Sequence, residues 1–364
     1  MKEKKIVIFM PSIEDGGVEK NLFLISNFLI KKFNKISVIT LSNRFKKKFD
    51  KNIKLIFFKN NYFVNFGRRK KFILCLFLLF FEILKNKNVI VLSFQGNVYC
   101  TLLCKLLGVK VIVRSNTSPE GWSQNIIKHF FFRIILNSVN KIIVNSIDFK
   151  NQLRKRYNVK AVCIYNPLNE KEIKNKSNKK FHNYFNKNCL KIINVGRLID
   201  QKDQMTLIKA INLIKDKIKI SVLIVGNGRE KENLLNFLKK KKLNKIIRIV
   251  SYKKNPYPLI KCADIFILSS IYEGLPNVLL EAICLKKFII SSNCPTGPRE
   301  ILNNGKGGLL FKTKNYKELA NKIIYFHKNK KICLKMIKNS QDGLKRFNIK
   351  KNLNKYYKLI NNEN

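Results

Sequence analysis

Short apolar runs alternate with segments of helical periodicity along most of this chain, and this alternation limits the fold more than any other feature. Five runs of the first half are predicted as buried strands: Ile6–Met10, Ile36–Leu41, Val89–Phe94, Val109–Val113 and Lys141–Asn145. Five more follow in the second half: Ile192–Val195, Ile220–Val225, Ile246–Ser251, Ile265–Leu268 and Phe288–Ser291. Continuous apolar strands separated by helices are typical of parallel sheets covered on both faces. The pattern predicts an α/β chain with two doubly wound parallel-sheet domains that face a cleft.

A polar stretch rich in Lys and Asn, residues 169–188, separates the two series. We therefore predict an N-terminal domain over residues 1–168, a linker over 169–188 and a C-terminal domain over 189–345. Residues 346–364 are expected to form a C-terminal helix that returns to the N-terminal domain. In such sheets ligands bind beyond the carboxyl ends of the strands. Functional residues are therefore expected in the loops that follow the strands.

The formal net charge is +52, from 74 Lys and Arg residues against 22 Asp and Glu residues. Such a charge favours polyanionic partners, namely nucleic acid, acidic lipid or phosphorylated ligands. Lys, Asn and Ile are abundant everywhere, however, and an AT-rich genome would produce this excess without selection for binding. The charge is spread along the chain and accompanies no recognisable nucleic-acid-binding motif, so we expect no nucleic-acid partner.

Nine cysteines lie in apolar runs without paired spacing. They predict buried free thiols in a reducing cytoplasm rather than disulfides, and the absence of a CxxC pair argues against zinc. The longest unbroken apolar run, Phe72–Phe81, is ten residues long, about half of what a membrane-spanning helix needs. The apolar stretch Ile6–Met10 is too short for a signal peptide. We expect a cytoplasmic protein without a transmembrane helix.

Three loops after predicted strands carry residues that suit phosphate binding. Gly16 and Gly17 precede a helix N-terminus with free amides, although a glycine turn between strand and helix is common without a ligand. Arg197 and Lys202 lie five residues apart, and their charges suit a diphosphate; a solvated loop is the alternative. The third loop, Val225–Glu230, resembles half of a phosphate loop and is more typical of a tight turn.

A fourth loop gives the strongest signal. It joins the predicted strand Ile265–Leu268 to a helix predicted to begin near Pro276. Glu273 precedes this helix, and Glu281 lies about one turn inside it. Carboxylates commonly hold vicinal hydroxyls of ribose or a sugar, so these two can hold two polyols on either side of a diphosphate. The alternative for Glu281 is an ordinary glutamate favoured by the helix dipole.

Together these motifs resemble the retaining family 4 glycosyltransferases of GT-B fold. The matching residues are Gly16-Gly17 with Glu19, Gly196-Arg197-Leu198 with Gln201-Lys202-Asp203, Val225-Gly226-Asn227-Gly228, the Glu273/Glu281 pair and Thr296-Gly297-Pro298-Arg299-Glu300-Ile301. The stretch Cys294–Glu300 further resembles bacterial members that add N-acetylhexosamines to lipid-linked oligosaccharides. The resemblance covers nearly the whole chain and is most specific over residues 190–312.

The resemblance implies a nucleotide-sugar donor, UDP-HexNAc or UDP-hexose, a glycan or polyprenyl-diphosphate-linked acceptor, and transfer with retention of anomeric configuration. The alternative is a nucleotide-sugar epimerase of the same fold, although such epimerases lack the loop Gly196-Arg197-Leu198 with Gln201-Lys202-Asp203. It implies catalytic roles for Arg197 and Lys202 at the donor diphosphate and for Glu273 at the donor sugar, with Glu281 at the ribose. Further donor contacts are implied for Gly16, Gly17, Gly274, Leu275, Asn277, Gly226 and Tyr252. It implies no metal and no cofactor, because the cations and the helix N-terminus meet the phosphate charge.

One part of the family pattern is missing. Many relatives carry a histidine near the donor sugar in the first domain, and the histidines here are His129, His182 and His327. His129 lies in an apolar helical run and is expected to be packed. In place of that histidine, the loop after Val109–Val113 offers two candidate sugar or acceptor contacts, Arg114 and Asn116.

A basic cluster, Arg68-Arg69-Lys70-Lys71, directly precedes the apolar run Phe72–Phe81. Basic residues beside an apolar helix are typical of an interfacial site. We therefore expect the protein to lie peripherally on the anionic inner face of the cell membrane. The alternative is a buried helix of the first domain under a solvated loop.

Overall fold

In the computed structural model the chain forms two compact units, one of Met1–Pro167 with Ile349–Asn364 and one of Leu168–Asn348. The structure describes residues 5–14, 16–58, 63, 66–116, 119, 122 and 125–363. The chain passes between the units twice, and its last segment belongs to the first unit.

The first unit contains a sheet of seven described strands, all parallel. In chain order they are β1 (Lys5–Phe9), β2 (Ile36–Ile39), β3 (Lys54–Ile56), β4 (Val89–Ser93), β5 (Lys110–Arg114), β6 (Lys141–Val144) and β7 (Val162–Cys163). Across the sheet their order is β3-β2-β1-β4-β5-β6-β7, with Ile6 beside both Ile36 and Ile90. The inner strands are rich in Ile and Val, whose branched side chains pack well on a pleated surface.

Helices cover both faces of this sheet. They are α1 (Gly17–Leu29), α2 (Arg68–Lys85), α3 (Asn97–Leu106), α4 (Ile126–Ser138), α5 (Ile147–Tyr157) and, from the end of the chain, α14 (Ile349–Asn361). Leu22 of α1 and Tyr356 of α14 share one core with the sheet. Leu79 of α2, Cys104 of α3 and Leu153 of α5 belong to the core on the opposite face. The first unit is therefore a three-layer structure with α1 and α14 on one side and α2 to α5 on the other.

The second unit repeats this plan with six described parallel strands. They are β8 (Leu190–Val195), β9 (Ile220–Val225), β10 (Ile247–Val250), β11 (Ile265–Leu268), β12 (Phe288–Ser292) and β13 (Leu309–Phe311), in the order β10-β9-β8-β11-β12-β13. Its helices are α6 (Glu170–Ser177), α7 (Gln204–Ile214), α8 (Lys231–Lys240), α9 (Tyr257–Cys262), α10 (Asn277–Cys284), α11 (Pro298–Ile301), α12 (Tyr316–Lys328) and α13 (Lys330–Gly343). The predicted fold class, two doubly wound parallel-sheet domains, is confirmed.

All ten predicted strands are present with ends within two residues of the prediction. The strands that the sequence pattern missed are β3, β7 and β13, which are two or three residues long and lie at sheet edges. Segments this short carry too few residues for periodicity to identify them.

The predicted linker differs from the structure. Residues 169–188 lie in the second unit and include α6, which Asn169 caps by accepting a hydrogen bond from the Glu172 amide at 3.3 Å. Within α6 one apolar side chain, Ile173, is buried, and Asn255 donates to the Lys176 carbonyl at 2.9 Å. A short helix can therefore dock with few apolar positions, which is why its polar composition predicted a linker.

Candidate functional site

Two neighbouring strands of the second unit place the predicted site loops side by side. β8 and β11 are adjacent and parallel, so their carboxyl ends lie at the same edge of the sheet. The loops that follow them are joined by hydrogen bonds: Gln201 Nε2 donates to the Tyr272 carbonyl at 2.8 Å, and Ser269 Oγ donates to the Lys202 carbonyl at 2.9 Å. The Ile271 amide also donates to the Gln201 carbonyl at 2.8 Å. The two loops thus form one connected structure.

Lys202 and Glu273 form an ion pair within this structure. Lys202 Nζ lies 2.5 Å from Glu273 Oε1, and the two side chains are 18% and 8% exposed. Desolvating two charges is costly unless they are paired. The ion pair therefore stabilises the ammonium group of Lys202 and the carboxylate of Glu273 in these positions. A ligand phosphate that approaches Lys202 would compete with Glu273 for the ammonium group. The sequence motifs assigned these residues to different parts of a ligand and did not indicate that they touch.

A third loop, which follows β12, contacts the backbone of Glu273. Thr296 Oγ1 donates to the Glu273 carbonyl at 2.5 Å, and Thr296 is fully buried. Gly297 has φ +90°, and a Cβ there would lie 2.6 Å from the Gly274 carbonyl oxygen, so only glycine fits against this backbone. The Cys294 thiol lies in the same loop, and burial raises its pKa to about 12. That thiol is therefore uncharged near neutral pH.

Glu281 lies within α10 and is buried. Its Oε1 accepts a hydrogen bond from the Tyr257 hydroxyl at 3.3 Å. Tyr257 was missed by the sequence analysis, because a tyrosine at the start of a short helix carries no spacing signal. The helix itself begins at Asn277 with Pro276 in the capping position, as predicted. Gly274 and Leu275, which precede it, are buried.

Arg197 is exposed in the loop after β8, and its guanidinium has no hydrogen-bond or ionic partner within the described part of the chain. Its carbonyl accepts from Gln204 Nε2 at 3.0 Å, which fixes the backbone. Asp203 follows the same loop at φ 43° and caps α7, accepting from the Thr206 amide at 3.2 Å and from its hydroxyl at 2.7 Å. Burial raises the pKa of the Asp203 carboxyl. Hydrogen bonds thus hold the loop at both ends, whereas the Arg197 side chain extends into solvent.

Gly226 packs against the loop after β8. A Cβ at this position would lie 1.9 Å from the Gly196 carbonyl oxygen, and the Leu198 amide donates to the Asn227 carbonyl at 2.8 Å. This turn therefore supports the loop that carries Arg197, in agreement with a tight turn. Tyr252 is exposed, and its amide donates to Asn227 Oδ1 at 3.3 Å.

In the first unit the loop after β1 leads into α1 through Gly16 and Gly17. The carboxylate of Glu19, in the first turn of α1, accepts from the Glu14 amide at 3.4 Å. Gln95 Oε1, in the loop after β4, accepts from the Ser12 amide at 3.1 Å. Gln95 was not singled out from the sequence, since a lone glutamine gives no motif. Asp15, which lies between Glu14 and Gly16 in the sequence, is outside the described part of the chain.

The candidate contacts Arg114 and Asn116 have different environments. Arg114 is 1% exposed; its Nε donates to the Tyr356 hydroxyl at 2.8 Å and its Nη2 donates to Asn166 Oδ1 at 2.7 Å. The guanidinium therefore ties β5 to α14 and presents no surface to a ligand in this structure. Asn116 is partly buried, with Nδ2 donating to the Phe94 carbonyl at 3.0 Å. His129 stacks on Tyr157 with ring centroids 4.3 Å apart, the packed role expected of it.

The described residues contain no group of three or more His, Cys, Asp or Glu residues placed to hold a metal ion. Within the same residues, every helix falls short of the length or the apolar content that a bilayer-spanning helix requires.

Comparisons with known proteins agree with these motifs. The family model described as glycosyl transferases group 1 matches residues 175–343. The amylovoran biosynthesis glycosyltransferase AmsD of Erwinia amylovora is 32% identical over 246 residues, 65% of this chain and 69% of that protein. The chain belongs to the glycosyl transferases group 1 family.

Other relatives extend the match over different lengths. A Campylobacter jejuni α-1,4-N-acetyl-D-galactosaminyltransferase, named for a diNAcBac-PP-undecaprenol-linked substrate, is 24% identical over 98% of both chains. Two further relatives, at 34% and 24% identity, are matched over only 41% and 60% of their own length. Among solved structures, HepE of Anabaena in complex with UDP-glucose covers 99% of this chain and 100% of its own, with 16% identity and a TM-score of 0.78. This likeness confirms the predicted GT-B fold.

Proposed function

We propose that this chain is a glycosyltransferase that moves a sugar from a UDP-HexNAc or UDP-hexose donor to a glycan or lipid-linked glycan acceptor, with retention of anomeric configuration. The observation that carries the proposal is the ion pair between the partly buried Lys202 and the buried Glu273, in the loops that follow two adjacent strands. It is a preformed ammonium–carboxylate unit beside the N-terminus of α10, where amides and the helix dipole favour an anion. Membership of the glycosyl transferases group 1 family supports the same class of reaction.

Each site residue has a role in the proposal. Arg197 and Lys202 bind the donor diphosphate, and Glu281 holds the ribose hydroxyls. Glu273 holds hydroxyls of the donor sugar after the phosphate draws Lys202 towards itself. The segment Gly274, Leu275 and Asn277 brings backbone amides to the phosphate, and in the first unit Gly16 and Gly17 do the same. Gly226 and Tyr252 lie beside the part of the site proposed for the base.

The proposed reaction balances without a further reagent. The bond between the anomeric carbon and the diphosphate oxygen breaks, and the acceptor hydroxyl oxygen bonds to that carbon on the same face. The hydroxyl proton passes to the departing phosphate, and UDP leaves. Negative charge grows on the diphosphate as the bond breaks, so electrostatic stabilisation by Arg197 and Lys202 is the main catalytic contribution. No metal or cofactor is part of the proposal.

The acceptor is proposed to be lipid-linked, which places the enzyme peripherally on the anionic inner face of the cell membrane, in the cytoplasm. The Campylobacter jejuni relative that is named for a diNAcBac-PP-undecaprenol-linked substrate supports this proposal. Asn116, whose amide is fixed beside the end of β5, is the remaining first-unit candidate for a sugar or acceptor contact. Nucleic acid is not proposed as a partner.

The experiment that tests this function is a donor screen read by mass spectrometry. UDP-sugars are offered one at a time with an extract of polyprenyl-diphosphate-linked glycans, and UDP release and acceptor mass are both measured. We expect UDP to be released only when acceptor is present, with the acceptor gaining one sugar mass. UDP release without acceptor, together with an isomerised sugar, would instead indicate an epimerase.

A further inference from the structure

Three helices of the first unit expose apolar outer faces. α2, α3 and α4 lie side by side on one face of the sheet. Among the described residues, eleven of the twenty exposed large apolar side chains belong to these helices, and each of the eleven is 46% to 84% exposed. We refer to the outer surface of α2, α3 and α4 as the three-helix face. Contiguous apolar surface of this kind usually marks an interaction site.

The exposed apolar residues of α2 are regularly spaced along the helix. Cys75 and Leu79 are buried against the sheet, whereas Ile73, Phe77 and Phe81 are more than half exposed. Residues two positions apart lie about 200° apart around a helix, so the exposed series is on the opposite side from the core. A helix that is apolar on both sides is expected to be covered on both.

The neighbouring helices follow the same arrangement. In α3, Cys100 and Cys104 are buried while Leu102 and Leu106 are exposed. In α4, Leu136 is buried while four aromatic or branched residues are exposed, namely Ile127, Phe130, Phe131 and Ile134. The apolar outer surface therefore continues across three adjacent helices and is not the product of one irregular segment.

The exposed charges on these helices are all positive. Their single carboxylate, Glu82, is buried and forms an ion pair with Lys5. Exposed basic side chains accompany the apolar ones on all three helices: Arg69, Lys70, Lys85, Lys105, Lys128 and Arg133. A second copy of this chain would bring like charges together, in a protein with a formal net charge of +52. An anionic surface is the complementary partner.

We propose that the three-helix face docks on an anionic lipid bilayer, with its apolar side chains among the acyl chains and its basic residues at the headgroups. Amphipathic helical surfaces with basic and apolar residues bind bilayers in this way. This inference rests on the proposed membrane location and names the surface that would bind the bilayer. Vesicle binding requires neither a donor nor an acceptor glycan, so its failure is distinguishable from a failure of the proposed glycosyl transfer. The inference extends the sequence-based expectation from one basic cluster to a surface of three helices.

The test is sedimentation of the full chain with vesicles of phosphatidylcholine containing roughly one quarter phosphatidylglycerol, compared with phosphatidylcholine alone. The test variant is Phe77→Ser/Phe81→Ser/Phe131→Ser. The matched control, Leu213→Ser/Ile332→Ser/Leu334→Ser, removes three side chains of similar exposure from the second unit. We expect the test variant to lose about tenfold or more in partitioning to the anionic vesicles, and the control to bind like the wild type.

Three results would overturn the proposal: equal binding by the test variant and the wild type, equal losses in both variants, or equally strong binding to phosphatidylcholine alone. Absence of vesicle binding, with a wild-type dimer that the test variant abolishes, would assign the face to a second copy and would also overturn it. If the test variant does not fold, two single variants are used instead, with Phe77→Trp as the test and Leu334→Trp as its control. Brominated phosphatidylglycerol should then quench the fluorescence added by Phe77→Trp and not that added by Leu334→Trp; equal quenching contradicts the proposal.

Discussion

The two units have the same architecture and use their buried polar groups differently. In the second unit, the charges of the partly buried Lys202 and the buried Glu273 are paired with each other across two loops at the end of the sheet. In the first unit, the buried charge of Arg114 is held by the neutral groups of Tyr356 and Asn166. An ammonium–carboxylate pair can exchange one partner for a ligand charge, whereas the Arg114 contacts join two elements of the fold.

The outer surfaces differ as well. The first unit exposes apolar side chains across α2, α3 and α4, and the described part of the second unit has no comparable set on adjacent helices. This difference supports the proposal of donor chemistry in the second unit and of surface attachment in the first.

The largest expected effect concerns the basic cluster at the start of α2. Replacing Arg68, Arg69, Lys70 and Lys71 by Gln should weaken binding to anionic vesicles by up to about 4 kcal/mol at low salt, since each basic residue near such a surface contributes about 1 kcal/mol. Vesicle sedimentation measures the loss, and high salt should release the wild type because it screens these charges.

The matched control for this cluster neutralises four exposed lysines of the second unit: Lys239, Lys240, Lys241 and Lys245. Because this control removes the same charge from the other unit, the control variant should bind anionic vesicles nearly as well as the wild type. If both variants lose equally, the net charge acts as a diffuse field and the first unit has no local attachment site.

The next effect concerns the second unit. Lys202→Ala should lower kcat/KM by about 30- to 1000-fold, since losing a group that stabilises developing charge costs roughly 2–4 kcal/mol. Arg197→Ala is expected in the same range. Lys209→Ala, at an exposed position on α7, is the control. A Lys202→Ala enzyme that is folded and within about threefold of wild type would remove Lys202 from the diphosphate site.

The smallest of these three effects concerns the first unit. Tyr356→Phe leaves the buried Nε of Arg114 without its partner, so the free energy of unfolding should fall by about 1–3 kcal/mol. Urea denaturation measures this loss, with Tyr325→Phe at a more exposed position as the control. Affinity for UDP should be unchanged; a loss of UDP affinity with unchanged stability would place Arg114 in the ligand site.

The ten predicted strands of the two units were recognisable from the sequence, because each is a mostly apolar run of four to six residues. The proposed ligand loops 196–203 and 269–277 follow two of these strands, and their charged residues have recognisable spacing. The Lys202–Glu273 contact could not be predicted, because it depends on the adjacency of β8 and β11 across 71 residues of chain. The role of Arg114 was not predictable either, since its partner Tyr356 lies 242 residues away.

The three-helix face illustrates a different limit. The run Phe72–Phe81 allowed both a buried helix and an interfacial one, and the structure contains features of each. Leu79 packs in the core, while Phe77 is exposed on the opposite side. Periodicity cannot separate two apolar sides of one helix, so only the packed structure distinguishes them.

Titration calorimetry with UDP tests the central claim, that the second unit holds a nucleotide-sugar through separate carboxylates. Glu281→Gln should raise the Kd for UDP by about tenfold or more, since a hydrogen bond to a charged group contributes roughly 1.5–3 kcal/mol. Glu273→Gln should leave the Kd within about threefold of wild type, because its proposed ligand is the donor sugar, while turnover falls. Equal losses of UDP affinity in both variants, or no UDP binding by the wild type, would contradict the account.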